Sequence, residues 1–155
     1  MWLNVKEEVS DVFSYKKSFR TPNANCKSKY CVYCAECIIC KKQYTGQTSI
    51  QARKRISGHR SHVGKIGPVD DEDKDEAALA EHMRTEHNLT SPDAFNKTFI
   101  FTILELEPKN LNKSEQKWIF NLCTMAPHGL NIEKPMGVAD SILSIAEKDI
   151  SGRSK

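Results

Sequence analysis

Apolar and polar positions fall into short runs that predict a few strands and helices. Tyr30–Glu36 (YCVYCAE) and Lys41–Gly46 (KKQYTG) are both rich in residues that fit a β-strand. The link between them holds Cys37 and Cys40 and is short enough to make the pair a hairpin. Lys97–Leu106 (KTFIFTILEL) is β-branched and aromatic throughout, so it predicts a third strand.

The remaining periodic segments predict helices. The first begins at a capping box in Thr48–Gln51 and runs to about Val63. The second covers Asp75–His87, which is alanine-rich and acidic at its start. The third covers Asn112–Thr124 with an asparagine cap, and Asn88–Asn96 is expected to be a loop.

The predicted order is therefore β-β-α-α-β-α. This order indicates a small α+β domain, with a central antiparallel sheet of about three strands flanked by helices. The domain spans residues 30–132, after an irregular basic lead-in at 1–29 and before an extension at 133–155. In that extension Val138–Ile145 has the pattern of a short helix, and the tail is expected to be disordered. No apolar run has the length of a membrane span, so no membrane partner is expected.

Cysteines concentrate around the predicted hairpin, since five of the six lie between Cys26 and Cys40. Met1–Asp11 lacks the apolar core of a secretory signal, which indicates a reducing, intracellular compartment. There, clustered cysteines bind metal more often than they form disulfides, and disulfides stay the alternative. Cys31 and Cys34 are three apart on a strand, so they point to opposite faces and are interpreted as buried thiols.

One set of cysteines and histidines has the spacing of a metal site. Cys37-x-x-Cys40, followed by His82-x4-His87, makes a Cys2His2 zinc site plausible. The histidines are five positions apart and do not share a helical face, so His87 must lie at or beyond the end of its helix. The alternative ligands are His59 and His62.

The net charge of +3 hides a strong asymmetry. Residues 41–65 contain seven lysines and arginines and no acid, a stripe that suits a polyphosphate partner such as DNA. A solvated helix face is the alternative interpretation. The candidate DNA-binding residues are Lys41, Lys42, Arg53, Lys54 and Arg60. The opposite run at 70–76 (DDEDKDE) is interpreted as a solvated loop rather than a metal site.

Three further residues carry candidate chemistry. Arg55 and His59 are four apart on the first helix and share a face, although ordinary surface pairs have the same spacing. On the third helix, Trp118 and Leu122 mark an apolar, inward face, and Glu115 lies on that same face. An ionised carboxylate is costly there unless it is paired or bound to metal, which makes Glu115 a functional candidate. The alternative is a salt bridge to an arginine at the edge of the core.

These residues resemble, in order and spacing, the motifs of the GIY-YIG endonuclease family. The matching positions are Cys31-Val32-Tyr33, Tyr44-Thr45-Gly46, Arg55, His59, Glu115 in SEQKWI and Asn131 in GLN. A Cys-x-x-Cys between the first two motifs and a downstream Ala-Glu-His stretch most resemble the endonuclease domain of Penelope-like retroelements, over Tyr30–Asn131. The first motif reads CVY instead of GIY, and Arg53 is a weaker rival for the arginine. Neither departure removes a catalytic group.

The resemblance implies a DNA endonuclease that hydrolyses phosphodiester bonds, nicking DNA for retroelement integration. Glu115 would bind one Mg²⁺ or Mn²⁺, which polarises the scissile phosphate and stabilises the leaving oxygen. Arg55 would neutralise charge that develops in the transition state. Tyr33 would help to activate the attacking water, with Tyr44 and His59 positioning that water or relaying protons.

The same resemblance implies supporting roles and partners. Asn131 would brace the site by hydrogen bonds, and a structural zinc would tie the hairpin to the second helix. A fused or associated reverse transcriptase and a nuclear location are further expectations. The rival class is a non-catalytic, zinc-containing nucleic-acid-binding domain. The presence of Tyr33, Arg55 and Glu115 together favours the enzyme, because binding alone needs no carboxylate on a buried face.

Overall fold

A three-stranded antiparallel sheet forms the centre of residues 24–132, the part of the chain that the computed structural model describes. The strands are β1 (Cys31–Cys37), β2 (Gln43–Thr48) and β3 (Phe99–Leu106). Their order is β2-β1-β3, so β1 is central, and Tyr33 pairs with Gly46 on β2 and with Ile103 on β3. The expected hairpin and third strand are confirmed.

Four helices accompany the sheet within these residues. They are α1 (Ala52–Ser61), α2 (Lys74–His87), α3 (Pro92–Thr98) and α4 (Leu111–Leu122). The α+β class is confirmed, but the order β-β-α-α-α-β-α contains one helix more than predicted. This extra helix, α3, replaces most of the loop expected at Asn88–Asn96 and delays the third strand to Phe99. Pro92 stands at its first position, where a missing N–H is tolerated, and the buried ring of Phe95 anchors it.

The capping box predicted for α1 is wrong. Thr48 is the last residue of β2, and its hydroxyl accepts a hydrogen bond from the Ile50 N–H at 3.2 Å. Gln51 stands at the N-cap and makes no capping bond with its side chain. The first N–H groups of α1 donate instead to the backbone carbonyls of Cys26 and Ser28. The lead-in therefore supplies the cap that sequence reasoning assigned to Thr48.

Two other helix boundaries differ from the prediction. Helix α1 ends at Ser61 rather than near Val63. Helix α4 is capped by Asn110 rather than Asn112, because the Asn110 side chain accepts a hydrogen bond from a backbone N–H in the first turn, at 2.9 Å. An asparagine cap was expected, and the structure moves it by two positions.

Strand β1 is buried on both faces of the sheet. On one face, Cys31 and Tyr33 join a core with α1, α2 and α3 that includes Leu79. On the other face, Cys34 packs against α4 through Trp118. Cys31 and Cys34 therefore point to opposite faces, as predicted. Strand β1 therefore lies between α1, which carries Arg55 and His59, and α4, which carries Glu115.

Some predictions fall outside the described residues. These are the short helix at Val138–Ile145, the tail that follows it and most of the basic lead-in. Within residues 24–132, none of the helices combines the length and the apolar character that crossing a membrane requires.

Candidate functional site

The hydroxyl of Tyr33 and the imidazole of His59 meet inside the domain. The Tyr33 oxygen lies 2.6 Å from His59 Nε2, and both side chains are buried. The other ring nitrogen, His59 Nδ1, lies 2.7 Å from the backbone carbonyl oxygen of Glu76. A carbonyl only accepts, so Nδ1 carries the hydrogen and Nε2 accepts from the Tyr33 hydroxyl. The fold thus fixes the tautomer that can receive a proton from Tyr33.

Burial sets the protonation states of this pair. Desolvation lowers the pKa of His59 to about 4, assisted by the charge of Arg55, so the imidazole is neutral near pH 7. Desolvation also raises the pKa of Tyr33 above its ordinary range, with the Arg55 guanidinium acting in the opposite direction. A protonated phenol thus faces a neutral base, which is the arrangement that a proton relay needs.

Arg55 reaches the same place from α1, one turn before His59. Its Nη1 donates to Glu76 Oε1 at 3.1 Å, and the ion pair is about one-quarter exposed. Its Nε is buried and has no hydrogen-bond partner among the described residues. An unsatisfied buried donor costs roughly 1–3 kcal/mol, so an arriving phosphate oxygen would relieve that cost if the guanidinium turned toward it.

Glu115 lies on α4, which packs on the face of the sheet opposite the core that contains Tyr33. It is 2% exposed, and its Oε2 accepts a hydrogen bond from Gln47 Nε2 at 3.1 Å. Its charge is close enough to act on the pKa of Tyr33. Tyr33 and Arg55 are in direct electrostatic contact, and Glu115, on a third element, lies within electrostatic reach of Tyr33.

Tyr44 completes an aromatic cluster around His59. The ring centroids of Tyr44 and His59 are 5.3 Å apart, and those of Tyr33 and Tyr44 are 6.4 Å apart. Gly46 makes this packing possible, because a Cβ there would lie 2.5 Å from the Tyr33 hydroxyl oxygen. The glycine of the second motif is thus required by close approach rather than by its backbone angles.

Two acidic residues of the site were not anticipated. The run at 70–76 is predicted to be solvated, and its last two members lie in the first turn of α2 as the predicted helix requires, but they face the site. Tyr44 donates to Asp75 Oδ2 at 2.8 Å, and Glu76 pairs with Arg55 as well as lying 3.5 Å from His62 Nε2. The acidic start of the predicted helix was the available signal, but the sequence did not show which residues these two carboxylates would contact.

Asn131 ties the end of the described chain to β2. Its Oδ1 accepts from the Thr45 N–H and its Nδ2 donates to the Thr45 carbonyl, both at 2.8 Å and fully buried. These two bonds hold the backbone between Tyr44 and Gly46. The geometry is that of a brace, the role which the resemblance gave to this asparagine.

Four side chains converge at the other end of α2. The potential ligand atoms of Cys37, Cys40, His82 and His87 lie within 4.8 Å of one another. Cys37 Sγ is 3.4 Å from His87 Nε2, Cys40 Sγ is 3.3 Å from His82 Nε2, and the two Nε2 atoms are 3.1 Å apart. Tetrahedral zinc bonds of roughly 2.0–2.3 Å place ligand atoms roughly 3.3–3.8 Å apart, so this cluster can hold one metal ion.

The positions of the histidines favour His82 and His87 over His59 and His62 as the metal ligands. His87 is the last residue of α2, followed by Asn88 in a left-handed conformation, as the spacing required. His59 and His62 lie instead against Tyr33 and Glu76. Burial, with the neighbouring His87, lowers the pKa of His82 to about 4, which keeps its ring unprotonated. In residues 24–132 no other cluster of three or more such side chains is suited to a metal.

The candidate DNA-binding residues divide into two groups. Lys41 and Lys42 lie in the hairpin beside the metal cluster, while Arg53, Lys54 and Arg60 lie on α1. Arg53 and Lys54 are exposed, and Arg53 Nε donates to the side chain of Gln51 at 2.9 Å. The basic stripe of the sequence is therefore divided between the hairpin turn and α1.

Comparison with protein-family models, with curated proteins and with solved structures finds no match to this chain. The resemblance to the GIY-YIG endonucleases therefore stays a prediction. The structure supplies the geometry: a phenol, an imidazole and a guanidinium meet at one place, the Glu115 carboxylate lies within electrostatic reach of the phenol, and a metal cluster lies at the other end of α2.

Proposed function

We propose that this domain is a divalent-metal-dependent DNA endonuclease of the GIY-YIG type. The observation that carries the proposal is the buried Tyr33–His59 hydrogen bond beside Arg55, with the Glu115 carboxylate of α4 within electrostatic reach of Tyr33. Binding DNA alone needs no carboxylate on a buried face, and Glu115 is 2% exposed. Integration of a retroelement, a reverse transcriptase partner and a nuclear location are proposed from the resemblance alone.

The Tyr33–His59 pair would serve as the route for a proton. Because His59 Nε2 is the accepting nitrogen, Tyr33 can pass its proton to the imidazole while its oxygen takes a proton from the attacking water. The carbonyl of Glu76 holds the ring in this tautomer throughout. The phenol alone could not act as a base, because burial raises its pKa above the ordinary range and keeps it protonated until His59 takes its proton.

Glu115 fits a hard cation such as Mg²⁺ or Mn²⁺. Its carboxylate supplies the hard oxygen ligand that such an ion prefers, and Gln47 Nε2 holds it in place by a hydrogen bond of 3.1 Å. When bound, the ion would supply Lewis-acid stabilisation of the phosphate and its leaving oxygen. The protein's own contribution is to keep this carboxylate buried and oriented by α4 and β2.

Arg55 would bind the non-bridging oxygens of the scissile phosphate. In the free protein its guanidinium pairs with Glu76, so the phosphate must compete with that carboxylate. The Nε–H that lacks a partner among the described residues gives the phosphate one donor that Glu76 does not occupy. The guanidinium is thus held near its place of action before DNA arrives.

The four-residue metal cluster is proposed to hold a structural zinc. Two thiolates and two imidazoles at these separations are the ligand set that tetrahedral zinc prefers. A Cys40→Ser protein should lose about one zinc per chain by metal analysis, because each structural site uses all four ligands. Cys123→Ser is the matched control, since Cys123 is exposed and outside the cluster. Unchanged zinc in Cys40→Ser would reject this ligand set.

A supercoiled-plasmid nicking assay with added Mg²⁺ or Mn²⁺ tests the enzyme. Arg55→Ala should slow nicking about 10²- to 10³-fold, the cost of losing one donor to the developing charge. Arg84→Ala removes the same charge from an exposed position on α2, where the arginine pairs with Glu81, and should nick nearly as fast as the parent. Equal nicking by the Arg55 and Arg84 variants would reject the proposed role of Arg55.

The competing function is a zinc-containing domain that binds nucleic acid without cutting it. The Arg55–Glu76 ion pair favours this function, because a guanidinium that stays paired with Glu76 could not bind the scissile phosphate. The two functions separate in the same assay. A parent protein that binds plasmid DNA but leaves it supercoiled with either metal is a binding module.

A further inference from the structure

A small cavity opens where β1 begins, β2 ends and α1 starts. Its volume is about 210 Å³, and it is lined by Lys29, Tyr30, Ser49, Ile50, Gln51 and Lys54. Two lysines and no acidic residue line it. Tyr30 is 57% exposed and Ile50 is 50% exposed, so an aromatic ring and an apolar side chain face solvent beside two cations. None of these residues takes part in the candidate active site.

The backbone of both walls of this cavity is held by hydrogen bonds. Tyr30 has φ +47°, which is uncommon for a residue other than glycine, and its carbonyl accepts from the Glu107 N–H at 2.7 Å. On the opposite wall, the Thr48 hydroxyl accepts from the Ile50 N–H at 3.2 Å and donates to the Ile50 carbonyl at 3.1 Å. The ring of Tyr30 is therefore presented to solvent by a fixed backbone.

The cavity lies close to the candidate active site along the sheet. Tyr33 follows Tyr30 by three residues, so their Cα atoms lie at most roughly 11 Å apart, the reach of a fully extended chain. Lys54 directly precedes Arg55 on α1. A DNA strand rises about 3.4 Å per nucleotide, so a strand whose phosphate sits at Arg55 reaches the cavity within about three nucleotides.

We infer that this cavity binds an unpaired DNA base beside the scissile bond. The base stacks on Tyr30 and packs against Ile50, while Lys29 and Lys54 contact the flanking phosphates. An exposed aromatic ring among cations is the usual platform for single-stranded nucleic acid. In continuous duplex the faces of each base are covered by its neighbours, so only an unpaired base can offer a face to Tyr30.

The inference deepens the proposed endonuclease function and rests on it for the choice of DNA as ligand. It names the substrate class as DNA with a single-stranded segment next to the cut, such as a flap, a gap or an overhang. Continuous duplex would still bind through the phosphate contacts of α1 but would leave the cavity unused.

Fluorescence anisotropy tests the assignment, using labelled oligothymidine and a blunt duplex of the same length, without added Mg²⁺ or Mn²⁺. Tyr30→Ala should weaken oligothymidine binding roughly 5- to 150-fold, the range expected for one lost base–aromatic stack. Its duplex affinity should stay that of the parent. Tyr30→Phe keeps the ring and should bind both ligands as the parent does.

Two results would overturn the inference. One is an equal loss of single-strand and duplex affinity in Tyr30→Ala, and the other is a Tyr30→Phe protein as weak as Tyr30→Ala. Should Tyr30→Ala fail to fold, a protein with Lys29→Gln and Lys54→Gln takes its place. In this protein the dependence of oligothymidine affinity on salt concentration should become weaker by the amount expected for the loss of about two phosphate contacts. Lys27→Gln, outside the cavity, should leave that dependence unchanged.

The cavity is tested by binding and the endonuclease by nicking, so the two proposals can fail separately. A parent protein that binds oligothymidine through Tyr30 but nicks no DNA rejects the enzyme and supports the cavity. A parent protein that nicks DNA, with oligothymidine binding unaffected by Tyr30→Ala, supports the enzyme and rejects the cavity.

Discussion

The brace between Asn131 and Thr45 gives a prediction whose size follows from the structure. Asn131→Ala removes two hydrogen bonds of 2.8 Å each and leaves the Thr45 N–H and carbonyl without those partners. Thr45 is fully buried, so each orphaned group costs roughly 1–3 kcal/mol. We expect the free energy of unfolding to fall by about 2–6 kcal/mol, a large share of the total for a domain of this size.

Urea denaturation followed by circular dichroism measures this loss, with zinc present at the same concentration for every protein. Asn121→Ala is the matched control, because Asn121 is exposed on α4 and the substitution there removes no buried bond. A loss below about 1 kcal/mol in Asn131→Ala, within the range of ordinary surface changes, would refute the brace. The reasoning also fails if Asn121→Ala is destabilised as strongly.

Three further predictions concern the site itself. Gly46→Ala should lower the free energy of unfolding by about 1–3 kcal/mol in urea denaturation and should also slow nicking, because the added Cβ would lie 2.5 Å from the Tyr33 hydroxyl oxygen. An unfolding free energy and a nicking rate equal to those of the parent would contradict this. The depressed pKa of His59, about 4, means that the unfolded chain binds more protons between pH 6.5 and pH 4. Stability is therefore complete above pH 6.5 and falls by about 3 kcal/mol as the pH drops through that window, and a pH series should show a smaller fall in His59→Gln. Glu76→Gln should tighten DNA binding several-fold in an anisotropy titration, since Arg55 no longer has a competing carboxylate; weaker binding would indicate that Glu76 positions Arg55.

Local patterns were enough to predict the sheet and the helix that carries Glu115. The runs that became β1, β2 and β3 are rich in strand-forming residues, and β1 carries side chains to both faces as predicted for Cys31 and Cys34. Trp118 and Leu122 of α4 pack on the sheet as their spacing indicated. The four metal-cluster residues were also readable, because each pair is close in sequence.

What sequence could not supply was contact between distant segments. Asp75 and Glu76 have the composition of a solvated run, and only the packing of α2 beside α1 brings them to Tyr44 and Arg55. The cap of α1 failed for a similar reason, since backbone carbonyls of the lead-in replaced the hydroxyl of Thr48. Backbone groups carry no sequence signature, so such a cap is invisible before folding.

Helix α3 shows a different limit. Pro92 follows a polar stretch and was interpreted as part of a loop, although proline is favoured at the first position of a helix. The helix is seven residues long, too short for a clear apolar period. Its stability comes from burying Phe95 in the core, which is a tertiary effect.

Removing one oxygen atom tests the central claim most directly. Tyr33→Phe keeps the buried ring but deletes the hydroxyl that donates to His59 Nε2 at 2.6 Å. In the plasmid assay with Mg²⁺ or Mn²⁺, we expect nicking to fall about 10²- to 10⁴-fold, the usual contribution of a positioned proton-transfer group. Tyr30→Phe makes the same change at an exposed tyrosine and should leave plasmid nicking intact. If Tyr33→Phe instead nicks at the parent rate, the Tyr33–His59 pair is not the catalytic relay, and the account of the site is wrong.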